Sequence, residues 1–370
     1  MTIIADRKQL LSALDRLVKI VPQRPTHEIL EGVELTTDSR KGLLVMRCFN
    51  LNQELTIAIN NISNVLQDTK FYTKAKKLKD TVRALSSENI SLEVVRGNLN
   101  VGDDCNAVRL SLIDDELPEI DPLVEPQQFL TDRKNLIEAL ESTIFATSLD
   151  ETKQVLCGVN INASDLGLIN FAATDGHRLA YISFDGEFPN LESLTIPGKT
   201  CEELLRTLKK ASDSELLVTF TKEEILFTLV EVKTTLRSRL LEGQYPKYFG
   251  IIPTDIKYEA IINRLDLLNV IQTASKVLDK KEYNPPLVTL LIHDGLRIDV
   301  LNSDRELVIT QVVGCKGSLQ KLAFNLHYLL EVLQKGTTKE IKIKQGEKPL
   351  SPVVIESNYN CLIMPVQQRS

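Results

Sequence analysis

The chain reads as an α+β protein made of three similar modules, each with two helices packed on antiparallel sheets. Three observations predict this: a motif returning at domain-sized intervals, amphipathic helices paired at near-constant separation, and short β-branched strands joined by glycine-containing turns. Residues 6–14 (Asp-Arg-Lys-Gln-Leu-Leu-Ser-Ala-Leu) return 126 residues later at 132–140 with six identities. A weaker copy, residues 263–271, follows after a further 131. Such intervals suit whole domains, not the roughly 20–50-residue units of a stacked solenoid.

The first motif opens a helix over 6–20, its apolar side marked by Leu10, Leu14, Leu17, Val18 and Ile20. A partner helix covers 74–85 through Leu78, Val82 and Leu85. The pair recurs as 131–149 with 199–210, the latter carrying Leu204, Leu205 and Leu208, and as 263–281 with 323–335, which carries Leu326, Leu329, Leu330 and Leu333. Leu10 to Leu78 and Leu136 to Leu204 are both 68 residues, and Leu267 to Leu329 is 62. Residues 43–48, 91–95, 216–220, 297–301 and 340–344 read as strands, and their short links require antiparallel pairing. Pro- and acid-bearing connectors at 114–128 and 242–258 set the expected modules at 1–124, 125–253 and 254–370.

Composition excludes several classes. With 370 residues, 43% hydrophobic and 25% charged, the chain is an ordinary folded protein. Charge arrives too early, at Asp6, for a secretory signal, and no run approaches the roughly 20 apolar residues of a membrane span. Cys48, Cys105, Cys157, Cys201, Cys315 and Cys361 form no Cys-x-x-Cys pair and read as reduced, mostly buried thiols of a cytoplasmic protein. Four histidines without ligand spacing predict no metal, and no cofactor motif is present. Pro197-Gly198-Lys199-Thr200 imitates the end of a phosphate-binding loop, but Ser193 stands where its first glycine belongs. Asp175 and His177 lack a third partner, so no catalytic residue is expected.

Net charge is −6, yet the six helical segments sum to +9, leaving −15 on the rest. One lysine-rich helix is ordinary solvated surface. Helices from three copied modules, arranged alike, would share one positive face. That face would hold a polyanion by counterion release without reading its sequence. Absence of Trp and only 5% aromatics argue against recognition by base stacking.

The chain resembles the bacterial sliding clamp family, the DNA polymerase III beta subunit. The resemblance is carried by Ala173-Thr174-Asp175-Gly176-His177-Arg178-Leu179-Ala180, with Arg24-Pro25-Thr26, Ile29-Leu30, Gly243-Gln244-Tyr245-Pro246-Lys247-Tyr248 and Cys361-Leu362-Ile363-Met364-Pro365-Val366. It covers the whole chain in order. It implies three DNA-clamp modules forming half of a six-module ring, a head-to-tail homodimer lined by helices around duplex DNA. Sequence-independent sliding would then tether the DNA polymerase III alpha subunit and other polymerases by raising effective concentration. A clamp loader complex is the other implied partner; no membrane is.

The same resemblance implies a partner-peptide pocket from Leu156, Thr174, Gly176, His177, Arg178, Leu179, Pro246, Ile251, Leu362 and Met364, taking a short peptide with one Gln and two or three apolar or aromatic side chains. Arg24 matches a family position near DNA, and Lys74, Lys76, Lys77, Lys79, Lys199, Lys209 and Lys210 reinforce it. The dimer seam is expected at Val108, Leu110 and Leu112, pairing with the third module's sheet edge. The chain departs from the family in two places. Phe249-Gly250 stands where many members carry an Arg, removing one polar wall, and the tail Gln367-Gln368-Arg369-Ser370 lacks a basic-apolar ending. The alternatives are a peptide-binding scaffold without a closed ring and a DNA-processing enzyme.

Overall fold

The computed structural model describes residues 2–60, 62–63, 67–119, 121–164, 167–186, 193–211, 215–278, 285–302, 304, 306–348 and 350–367. The helices among them are α1 (Arg7–Ile20), α2 (Ala75–Ala84), α3 (Arg133–Thr143), α4 (Gly198–Leu208), α5 (Arg264–Val277) and α6 (Leu326–Lys335).

Each copy of the repeated motif builds the same joint. Asp6 caps α1 by accepting from the Gln9 N–H at 2.7 Å; Asp132 caps α3 through Lys134 and Asn135 at 2.7 and 3.0 Å; Asn263 caps α5 through Leu265 and Asp266 at 2.9 and 3.3 Å. The arginine that follows reaches the end of the partner helix. Arg7 donates to the Val82 and Arg83 carbonyls, Arg133 to Leu208, and Arg264 to Leu333 and Thr338. A cation at a helix C-terminus satisfies orphan carbonyls and complements the dipole. The motif therefore recurs because one short segment starts a helix and anchors the next.

Two compact units divide the chain: Met1–Leu136 with Glu202–Leu240, and Ile137–Cys201 with Leu241–Ser370. In the first, an eight-stranded sheet runs β5 (Lys70–Lys74), β2 (Gly32–Asp38), β3 (Leu43–Phe49), β4 (Gln53–Ile59), β16 (Thr234–Arg239), β15 (Glu224–Leu229), β14 (Glu215–Phe220), β9 (Gln127–Asp132). A four-stranded sheet runs β1 (Thr2–Asp6), β6 (Asn89–Val95), β7 (Asn98–Gly102), β8 (Ala107–Ser111). α1 buries Leu10, Leu14 and Leu17, and α2 buries Leu78 and Val82. Each such leucine contributes about 1.5–3 kcal/mol relative to exposure.

The second unit holds a nine-stranded sheet, β13 (Leu194–Pro197), β10 (Gly158–Ser164), β11 (Leu168–Thr174), β12 (Arg178–Asp185), β25 (Asn360–Ile363), β24 (Val353–Glu356), β23 (Glu340–Gln345), β17 (Tyr258–Asn263), β21 (Cys315–Gly317). Its four-stranded sheet runs β20 (Leu307–Val313), β19 (Leu296–Leu301), β18 (Leu287–Ile292), β22 (Leu322–Asn325). No strand pairing among the described residues is parallel. Each large sheet is continuous across chain segments far apart in sequence, through β4 on β16 and β12 on β25.

Three helix limits differ from expectation by more than two residues, and one is that of α5, which ends at Val277 with extended Leu278 as its cap rather than at 281. The helix expected over 131–149 stops at Thr143, whose buried hydroxyl bonds back to the Ala139 carbonyl at 2.6 Å before a 3-10 turn at Ile144–Ala146. Residues 323–325, expected as helix, finish β22 against β18, and Asn325 caps α6 through the His327 N–H. Residues 279–281 of the expected fifth helix lie outside the described residues. The expected strands all form. All six cysteines are free; Cys48, Cys201 and Cys361 are buried, Cys157 and Cys315 half-buried, and Cys105, in a turn after β7, is exposed.

Candidate functional site

All ten expected pocket residues fall in the second unit, and three of them, Leu156, Leu179 and Leu362, share one apolar floor. Leu179 of β12 sits opposite Leu362 of β25, and Leu362 opposite Val354 of β24. These three pack with Tyr245 and Tyr248, and Val155, Leu156 and Ile252 close the sides. Leu179 and Leu362 are buried, whereas Ile251 and Met364 are 53% and 42% exposed. Pro246 is exposed as well. The floor is buried, while Pro246 and Ile251 are exposed next to its members Tyr245 and Ile252 in the chain.

The β11–β12 turn is closed by its own side chains. Thr174 Oγ1 donates to the Arg178 carbonyl at 2.6 Å and accepts from the Gly176 N–H at 3.1 Å. Asp175 Oδ1 accepts from His177 and Arg178 N–H at 2.9 and 3.0 Å. Gly176 has φ +94°, a left-handed conformation that favours glycine. The Met364 N–H donates to the His177 carbonyl at 3.0 Å, which seats the C-terminal segment on the turn.

Arg178 enters the floor with its backbone only. Its guanidinium is buried and bonded to Asp175, Glu331 and the Phe145 carbonyl, lying 5.3 Å and 4.6 Å from the Phe145 and Tyr328 ring centroids. It holds the turn in place and is not directed at the rim.

The departure at Phe249 is visible here. Its ring lies 4.3 Å from that of Tyr248 and is 51% exposed, extending the apolar rim. Burial pushes the Tyr248 phenol up to about 12 and raises Tyr245 further. Tyr248 accepts from Asn162 at 3.1 Å. In the tail, residues 368–370 lie outside the described residues.

In the first unit three helices lie side by side. Asp15 of α1 meets Lys79 and Arg83 of α2 at 3.8 and 2.6 Å. On the other side, Arg16 of α1 meets Glu203 of α4 at 3.0 Å, and Lys210 just beyond α4 donates to Ser12 at 3.3 Å. Lys8, Ser12, Asp15 and Lys19 recur at helical spacing along α1 between these contacts. Arg24, Lys76, Lys77, Lys209 and Lys210 are exposed. Lys74 is held by Glu28 at 2.9 Å and Glu31 at 3.2 Å, and these carboxylates raise its pKa. Lys199 is exposed at the start of α4, in the second unit.

Of the expected seam residues, Val108 is exposed on β8, the outermost strand of its sheet. Leu110, on the same strand, is buried, and Leu112 is half-buried beyond it, where it bridges to Thr73. β20 is likewise outermost in its sheet, with Leu307 and Val312 exposed. Each edge thus offers unpaired backbone flanked by apolar side chains.

Lys8 and Lys19, not singled out in the sequence, are further exposed cations at the 3.6-residue spacing of α1. Sequence reasoning also missed Val155, Tyr245 and Tyr248 as floor residues, although both tyrosines sit inside the Gly243-Gln244-Tyr245-Pro246-Lys247-Tyr248 motif. Glu331, Phe145 and Tyr328 carried no signal. Only folding brings them to Arg178.

Comparison with known proteins agrees with this architecture. Residues 1–120 match the family model of the DNA polymerase III beta subunit N-terminal domain, and residues 131–247 that of its central domain. The beta sliding clamp of Synechococcus elongatus is 31% identical over all of both chains, and that of Bacillus subtilis 26% identical over 92% of each. A solved sliding clamp from Bartonella birtlesii superposes with a TM-score of 0.89 at 25% identity over all of both chains. The DNA polymerase III beta subunit of Thermotoga maritima does so at 0.86 and 21% over the same coverage. Matched end to end by a relative of that similarity, and over most of its length by both domain models, the chain belongs to the bacterial beta sliding clamp family, the beta subunits of DNA polymerase III.

Proposed function

We propose that the chain is a sliding clamp that closes as a head-to-tail homodimer around duplex DNA and tethers the replicative polymerase. The row of α2, α1 and α4, with its exposed lysines, is the observation that carries this reading. A positive helical surface contacts phosphates without reading bases, so the ring holds DNA topologically while remaining free to move along it. Processivity follows from effective concentration, since a tethered polymerase rebinds intramolecularly. The clamp performs no chemistry of its own.

The chain would comprise modules 1–124, 125–253 and 254–370, two copies giving six around the hole. The exposed edges of β8 and β20 support a seam by strand addition, which would cover Val108, Leu307 and Val312. The floor around Leu179 and Leu362 supports docking of a short peptide from the polymerase alpha subunit, other polymerases or the clamp loader. Gly176 and the exposed Pro246, Ile251 and Met364 would form its contact rim.

Light scattering tests the ring, and a dimer at micromolar concentration is expected. After loading, the protein should stay on circular DNA and be lost when that DNA is linearised. Equal loss from both forms refutes topological tethering. Peptide binding without such retention identifies an open scaffold, and metal-dependent DNA turnover an enzyme.

A further inference from the structure

We infer that Glu331 on α6 is a positioning residue for partner binding, acting through Arg178 on the turn that borders the peptide floor. The inference rests on the pocket reading above but concerns a side chain outside that pocket.

Arg178 is 8% exposed, and a buried guanidinium needs its charge compensated and its fixed fork of N–H donors satisfied. One carboxylate comes from Asp175, at 3.2 Å from Arg178 Nε. The opposite oxygen of Asp175 is already occupied by two turn N–H groups. Glu331 supplies the second carboxylate, to Nη1, from 153 residues away. Nη2 is taken by the Phe145 carbonyl at 2.7 Å. Among the described residues, Glu331 is therefore the one charged partner of Arg178 that does not belong to the turn itself.

A second contact joins α6 to the same turn. The His177 ring stacks on Tyr328, with centroids 6.2 Å apart and planes 20° from parallel. Tyr328 and Glu331 are three apart on the helix and so share a face. Two successive turn residues, His177 and Arg178, are thereby both seated on α6. The His177 carbonyl in turn accepts the Met364 N–H, and Leu179 follows Arg178 into the floor. Position therefore passes from Glu331 to Arg178, to the turn, and then to Met364 and Leu179. A peptide on the rim meets a surface whose spacing α6 has set, and pre-organised spacing strengthens binding without adding a contact.

The test uses the full-length chain and a fluorescein-labelled hexapeptide containing one Gln, two Leu and one Phe. Binding is read by fluorescence anisotropy at 25 °C and folding by thermal melting. Glu331→Gln keeps the side chain's shape and should weaken the peptide about tenfold, the scale of one charge-assisted hydrogen bond. A purely structural role would lower the melting temperature yet leave the affinity of the still-folded chain unchanged. In an Arg178→Lys background, Glu331→Gln should change affinity less than about twofold, because its effect passes through the guanidinium. Lys335→Gln, elsewhere on α6, should bind as the unaltered chain does. Unchanged affinity in Glu331→Gln, or an equal loss in the Arg178→Lys background, overturns the inference while leaving the pocket standing. No binding by the unaltered chain overturns the pocket and the inference together.

Discussion

Replacing Arg16 by Met tests the joint between the first two basic helices of the row and the third. Arg16 is 7% exposed, its Nε bonded to Glu203 at 3.0 Å and its Nη2 to Thr207 Oγ1 at 2.5 Å. Glu203, at 2% exposure, has one further cationic partner among the described residues, Arg206 at 3.0 Å. Met fills most of the volume but removes the charge, leaving a buried carboxylate served by a partly solvated arginine. Severing one side of a buried pair costs about 3–5 kcal/mol, and the surviving Arg206 contact holds the loss to about 3. For a unit of this size that lowers the melting midpoint by about 6–12 °C. Urea titration and thermal melting of Arg16→Met measure it. Removing both charges in Arg16→Met with Glu203→Leu should recover stability to within about 1 kcal/mol of the unaltered chain, because nothing buried is then unpaired. A single variant losing under about 1 kcal/mol, or a double variant worse than the single, refutes the assignment of this pair as the joint's buried lock.

Lys76→Ala with Lys77→Ala should reduce the slope of log binding constant against log salt by about two for duplex DNA, one per lost phosphate contact. An unchanged slope removes α2 from the DNA face. Met364→Ala should weaken the labelled peptide with less effect on melting, since Met364 is 42% exposed, whereas Leu179→Ala should cost about 2–5 kcal/mol of stability as a buried floor residue. Equal melting losses would contradict that division between rim and floor. Asp103 accepts N–H groups from Ser86, Cys105 and Asn106, which lower its pKa from 3.8 to about 2. A depressed carboxylate stabilises the fold above its unfolded value and loses that contribution as pH falls from about 4 toward 2. Asp103→Asn should therefore melt below the unaltered chain at pH 7, with the gap closing across that window. A gap independent of pH would assign the loss to something other than ionisation.

What the sequence made legible was local. The Asp-Arg motif could be read because its cap lies within three residues of its acceptor, and three copies repeat the signal. The arginine's second contact, with the far end of a helix about 75 residues on, was hidden until the pair spacing of 68 was given a structural meaning. The Asp175 turn was readable for the same local reason. The continuity of β4 with β16 and of β12 with β25 was not. Period-2 patterning says which face of a strand is buried but not which strand lies beside it. The contact of α6 with the Asp175 turn was illegible on the same ground, since nothing near Glu331 marks it as the partner of Arg178.

Charge shows where such reading stops. Counted along the chain, residues 74–85 carry five basic side chains against one acid. Folding then changes what a polyanion meets. Lys74 is bound between Glu28 and Glu31, while Lys79 and Arg83 both approach Asp15. These pairs are partly exposed, so each contributes little to stability, yet each lowers the potential that its cation projects outward. Lys76 and Lys77, exposed and outside those pairs, keep more of theirs. The net count of a helix is thus an upper bound on the charge it offers to phosphate. Within α2 and its cap, neutralising Lys76 and Lys77 should weaken duplex binding more than neutralising Lys74 and Lys79, a ranking that four identical lysines in a sequence could never have supplied.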